Sequence, residues 1–150
     1  MIYIAAFPEQ YVGNDELDTG HCARLVQIAT GAPKASFWRR GEKVRGNSNV
    51  AYGTAIATFE LAGIFDELGL CGPVLYTNRT DHTAHAALYV SQDGNGIKMI
   101  DQWQGRGTVG YTTRDFLPHR FPIESGDNYY VIEGPPYLNV RVLPDRSEPL

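Results

Sequence analysis

Three residues of this 150-residue chain carry side chains that could do chemistry together: Cys22, His85 and Asp101. A thiol is nucleophilic as thiolate, and a thiol at a helix N-terminus sits in the positive end of the backbone dipole, which favours the anion. Cys22 begins such a stretch. An imidazole within hydrogen-bond reach is the usual base for a thiol, and a third polar group must hold its ring. His85 opens a strand-like run, and Asp101 lies on the run that follows, placed to take the other ring N–H. Gln102 or Gln104 would replace Asp101 if the pairing slipped by one residue. Each of these residues also has a plain structural reading. Cys22 lies on an apolar stripe and could be core packing, and Asp101 could be an exposed edge carboxylate.

The elements that must position them can be read from the pattern. Cys22, Leu25, Val26 and Ala29 recur at helical spacing, with Asp18 and Thr19 as candidate caps and Gly31 then Pro33 as a stop. The run 54–59, TAIATF, alternates and leans to β after Gly53. Residues 60–81 fit either a helical turn or an irregular insertion with a short strand, and Cys71 within them is expected to be structural or exposed. HAALYVS (85–91) and IKMIDQW (97–103) flank QDGNG, whose residues tolerate positive φ, and so predict a hairpin. NYYVIE (128–133) and YLNVRVL (137–143) predict a second hairpin turning at Gly134, Pro135 and Pro136, whereas the stretch between the two hairpins is less regular. A helix followed by mostly antiparallel strands is an α+β domain, with residues 1–150 as one unit.

Composition limits the partners. Hydrophobic residues make up 43% and charged residues 20%, which is globular usage. Thirteen basic and seventeen acidic residues give a formal charge of −4, which speaks against a nucleic-acid backbone binder. No run approaches the roughly 20 apolar residues of a membrane span. The N-terminal MIYIAAFPEQ has no basic n-region and is no Sec signal, so the expectation is a product made in the cytoplasm and exported, if at all, by a route without a cleavable signal. Two cysteines do not make a disulfide framework.

Two local features admit a second chemistry. His21, Cys22, His82 and His85 could offer zinc four N/S ligands, but adjacent residues rarely reach one ion together, so no metal or cofactor is expected. The stretch 34–45 holds Lys34, Arg39, Arg40, Lys43 and Arg45 against Glu42 alone. It reads either as a solvated loop or as a rim that receives carboxylates, with Trp38 beside it as a docking residue. A non-enzymatic binding module with Cys22 in its core is the corresponding alternative to an enzyme.

The order of these segments resembles a known group. GHCARLVQ at Cys22, FWRRGEKVRGN at 37–47, GTAIATF at 53–59, HAALYV at His85, GIKMIDQW ending at Trp103 and the YYVIE strand together resemble the papain-like NlpC-type and CHAP cell-wall hydrolases. Among these they are most similar to small type VI secretion amidase effectors. The resemblance implies a papain-like fold with an N-terminal nucleophile helix packed on an antiparallel sheet. It implies hydrolysis of peptide bonds in peptidoglycan stems or crosslinks through a thioester, with Cys22 as nucleophile, His85 as base and Asp101 as orienting group. Arg39, Arg40, Trp38 and Gln102 are then expected along the substrate's approach. It also implies a secreted, monomeric antibacterial protein acting in the periplasm of a target cell, with a cognate immunity protein as possible partner; a phage-type lysin is the variant reading. The usual Asp-Cys-Ser of NlpC-type enzymes is His21-Cys22-Ala23 here, so the neighbours of the nucleophile differ.

Overall fold

A computed structural model describes residues 1–59, 76 and 84–137. Among these residues the helix α1 spans Cys22–Thr30, and six strands follow: β1 Arg39–Lys43, β2 Ala55–Thr58, β3 Ala86–Gln92, β4 Gly96–Asp101, β5 Gly110–Asp115 and β6 Tyr129–Glu133. They form one antiparallel sheet in the order β1-β6-β2-β3-β4-β5.

α1 starts where the pattern places it, but without the expected cap. The N-cap is His21, no side chain caps the helix, and Asp18 instead takes a positive φ and pairs with Arg24. Gly31 ends the helix in the left-handed conformation and returns its N–H to the Gln27 carbonyl, the exit that glycine permits without strain. Leu25 and Val26 are fully buried against β3. Small residues at the contact, Ala23, Ala55, Ala57 and Ala86, let the helix lie close to the sheet.

The sheet is covered by apolar groups on both faces. One cluster gathers Leu25, Val26, Trp38, Leu88, Ile100 and Ile132 around α1, and a second gathers Val44, Ile56, Tyr89, Ile97, Met99 and Tyr129 on the other side. Hence β2 is buried along its whole length rather than alternating. The same holds for the first half of β3. A central strand with both faces covered reads as a continuous apolar run.

Several expectations need correction. The basic stretch is not a loop, because Arg39–Lys43 is an edge strand paired with β6 and interrupted by a bulge between Arg40 and Lys43. Gly41 occupies that irregular position, where a Cβ would meet the Val131 carbonyl at 2.7 Å. The irregular stretch after the first hairpin contains β5, paired with β4 along its full length. β6 has both edges taken, by β1 and β2. The return strand expected at 137–143 lies outside the described residues except for Tyr137, as do 60–75 and 77–83 with Cys71 and His82.

Candidate active site

Three elements converge where α1 begins. His85 immediately precedes β3 and is fixed by Thr58 from the neighbouring strand: Thr58 N–H donates to the His85 carbonyl and His85 N–H donates to Thr58 Oγ1, both at 3.0 Å. Asp101 ends β4. Its Oδ2 lies 2.7 Å from His85 Nε2, inside a site where His85 is 4% and Asp101 0% exposed. With Nε2 engaged by the carboxylate, the other ring nitrogen is left for the thiol, and the Cys22 and His85 side chains are hydrogen-bonded to one another. The thiol also receives the Ala86 N–H at 3.4 Å and lies 3.4 Å from the Tyr76 hydroxyl. Cys22 itself is partly exposed.

The electrostatics follow from these contacts. Burial pushes the thiol up, but the charge and hydrogen bond of His85 outweigh it, with help from Tyr76 and Ala86, and the thiol ends below its ordinary value. Burial likewise opposes a charged imidazole. The facing thiolate and the hydrogen bond to Asp101 reverse that and raise His85 to about 10. Asp101 is held below the usual carboxylate range: burial opposes its charge, while the hydrogen bond to His85, Thr112 and Arg106 favours it. The arrangement therefore favours a thiolate–imidazolium pair backed by a carboxylate.

Asp101 is more constrained than the sequence suggests. Its Oδ1 accepts from Arg106 Nη1 at 2.5 Å and from Thr112 Oγ1 at 2.6 Å, and Arg106 also donates to the carbonyls of Asp101 and Tyr111. The guanidinium stacks over Trp103 at 4.3 Å, and that indole stands edge-on to the His85 ring at 6.3 Å. Arg106 lies in a loop between Gly105 and Gly107, both at positive φ, and Gly110 leaves it room, since a Cβ there would sit 2.6 Å from Nη2. A Gly-Arg-Gly tripeptide just beyond a candidate catalytic strand was the signal that could have pointed to it. Tyr76 had none, standing in a stretch without periodicity.

The residues expected along the substrate's approach are placed differently. Trp38 is 0% exposed, with its indole N–H given to the Pro33 carbonyl and its ring packed on Tyr76 at 5.0 Å, so it is core and not a docking surface. Gln102 is also fully buried. Its amide accepts from Leu17 N–H and donates to the carbonyls of Leu17 and His21, which pins the segment leading into α1 and spends both of its N–H donors there. Arg39 donates to the carbonyls of Ser36 and Trp38, and Arg40 lies over the Tyr130 ring at 5.2 Å. Neither is brought to the thiol. Arg39 pairs with Glu133, at the opposite end of β6 from Tyr129, which is level with Thr58 beside His85. Lys43 and Arg45 are both paired with Asp127. Of the zinc alternative, His82 lies outside the described residues, and among those described no group of three or more His, Cys, Asp or Glu side chains is placed to hold an ion.

Comparison with known proteins bears on the fold and the family. A solved structure of type 6 secretion amidase effector 2 (Tae2) superposes with a TM-score of 0.72, covering 88% of this chain and 94% of that one at 24% identity, a likeness that speaks for the fold: an antiparallel sheet with few helices. The type VI secretion amidase effector 2 protein of Salmonella typhi is 31% identical over 105 residues, 69% of each chain. The family described as domesticated amidase effector 2 matches residues 3–132, nearly all of the described structure. By that match and that identity, the chain belongs to the domesticated amidase effector 2 family.

Proposed function

We propose that this protein is a cysteine amidase that cleaves peptide bonds of bacterial peptidoglycan, with Cys22 as nucleophile, His85 as acid and base, and Asp101 as the group that orients His85. The observation that carries the reading is the single imidazole joining a partly exposed thiol at a helix N-terminus to a buried carboxylate. The family supports the reaction class, because its model and the relative are named amidase effectors, the latter of type VI secretion.

The reaction then runs in two halves. The Cys22 thiolate attacks the scissile carbonyl carbon and forms a C–S bond, while the carbonyl oxygen takes the negative charge. As the C–N bond breaks, the imidazolium of His85 gives its proton to the leaving amine. Water then attacks the thioester, the now neutral His85 accepts its proton, and the C–S bond breaks to return thiolate, imidazolium and the free acid. Asp101 stays ionised throughout and keeps Nε2 occupied, so that the other nitrogen faces sulfur. No cofactor is needed for this sequence.

In this reading the protein is an antibacterial effector that acts on the wall of a target cell and is neutralised in its producer by an immunity protein. Digestion of purified sacculi, followed by mass spectrometry of the products, tests the chemistry and identifies the bond. Cys22→Ala and His85→Ala should fold and release no fragments, whereas Asp101→Asn should keep partial activity, because the imidazole remains usable without its orienting charge. A Cys22→Ala protein that still opens sacculi would remove the nucleophile from the scheme. Directing the protein to the periplasm of a test bacterium should lyse it, and cytoplasmic expression should not.

A further inference from the structure

Among the described residues, the contacts at the Cys22 sulfur are accounted for by thiolate chemistry except one. Ala86 N–H and His85 have roles as thiolate donor and proton carrier, but the Tyr76 hydroxyl, 3.4 Å from Sγ, has no part in the scheme. Its placement is specific. The ring is 4% exposed and wedged between Trp38, at 5.0 Å and 53°, and Phe59, edge-on at 6.1 Å, and Phe59 in turn stands edge-on to Tyr130. Two aromatic neighbours, the second backed by a third ring, hold the phenol with its oxygen near sulfur. Among the described residues the sulfur is its one hydrogen-bond partner.

We propose that Tyr76 is a catalytic residue: its hydroxyl donates to the thiolate in the resting enzyme and moves to the oxyanion of each tetrahedral intermediate. The proposal rests on Cys22 being the nucleophile. When the C–S bond forms, the negative charge leaves sulfur for an oxygen bonded to the adjacent carbon. A donor already within reach of sulfur needs only a small shift to follow it. The second donor is the backbone N–H of Cys22, which stands at the first position of α1, has no intrahelical acceptor and is covered by no capping side chain. No proton leaves Tyr76. Burial beside a thiolate raises the phenol well above its ordinary value, so it remains a donor through the cycle.

Tyr76→Phe deletes only the oxygen and leaves the ring between Trp38 and Phe59. Rates are measured on a defined stem peptide and expressed per alkylatable thiol, so that any loss of folded protein does not count. The expected loss in kcat is about 100- to 1000-fold, the cost of one oxyanion donor, with KM changed little. Inhibition by a peptide aldehyde, whose thiol adduct carries the same tetrahedral oxygen, should weaken by a comparable factor. The pH profile of iodoacetamide alkylation should move upward, because the thiolate loses a donor. Wild-type kcat together with unchanged aldehyde inhibition overturns the role. A shifted alkylation profile with kcat intact also overturns it, since Tyr76 would then serve the thiolate alone. Cys22→Ala is run beside it: an active Cys22→Ala protein refutes the nucleophile itself, whereas an inactive one with an unaffected Tyr76→Phe refutes only this inference.

Discussion

At Cys22 the balance between burial and its neighbours decides whether the site is poised or inert. A thiol packed among Leu25, Val26 and Ala86 with no charge nearby would stay protonated, the outcome the sequence alone could not dismiss. His85 changes the sign, and the direction of both shifts makes a prediction. The thiol sits below its ordinary value and the imidazole is raised to about 10, so between these two points the ion pair is the populated form. Activity should therefore rise with pH as Cys22 loses its proton, hold while the pair is populated, and fall as His85 loses its own near pH 10. Rates on sacculi or a stem peptide across that range, at constant ionic strength, measure both limbs. A rate that climbs continuously past pH 10 would mean that the imidazole works neutral and the pair is not the active form. Cys22 and His85 were legible because a thiol in a first helical turn and an imidazole at a strand start each carry a local signature. Tyr76 and Arg106 were not, because their contacts depend on where the chain returns and not on any period.

At the scale of elements, the site is held by the joining of two loops. The segment 14–21 that leads into α1 is fastened to the segment after β4 by Gln102, which makes three hydrogen bonds to Leu17 and His21. Glu16 adds to this by accepting from the N–H groups of Gly105 and Gly107. Gln102→Ala would leave the half-buried Leu17 N–H without a partner, while the carbonyls of Leu17 and His21 keep the N–H groups of Gly20 and Arg24. A loss of about 1–3 kcal/mol is expected, a drop of several degrees in melting temperature for a chain of this size. An unchanged melting curve would show that water takes over these bonds. The other loop element is Arg106, folded back onto Asp101. Gly110→Ala puts a methyl where Nη2 now lies, and Arg106→Lys loses the two-nitrogen fork that spans Asp101 and Tyr111. Both should lower kcat by about 10- to 100-fold, the range in which an ångström of misplacement acts, while KM stays within about twofold. Wild-type kcat in both variants would leave Arg106 a purely structural role. Here the sequence pattern fell short for physical reasons: β1 and β5 are edge strands with charged or half-exposed residues, and β1 is broken by a bulge, so neither shows the apolar alternation that marks a strand.

Across the whole molecule, the sheet order explains what the basic stretch does. Because β6 inserts between β1 and β2, β1 is carried to the edge of the sheet, three strands from β3 and His85. Arg39 and Arg40, alike in sequence, are thereby given different surroundings. Arg39 closes the turn before β1 through the carbonyls of Ser36 and Trp38 and covers the Tyr137 ring. Arg40 points to the α1 side, over Tyr130, and Tyr130, Phe59 and Tyr76 form a continuous row of rings from there to the thiol. Among the described residues the Arg40 guanidinium donates no hydrogen bond. The two substitutions should therefore separate. Arg39→Ala is expected to lower the melting temperature by a few degrees, roughly 1–2 kcal/mol for two lost hydrogen bonds, with kcat and KM unchanged. Arg40→Ala should leave the melting temperature near wild type. It should raise KM for fragments that extend along the ring row and carry a carboxylate, while leaving KM for a short amide substrate alone. A length series of stem peptides, measured with both variants, distinguishes these. Equal KM for every length in the Arg40 variant would place recognition elsewhere, and a raised KM in the Arg39 variant at unchanged stability would return that residue to the substrate's path.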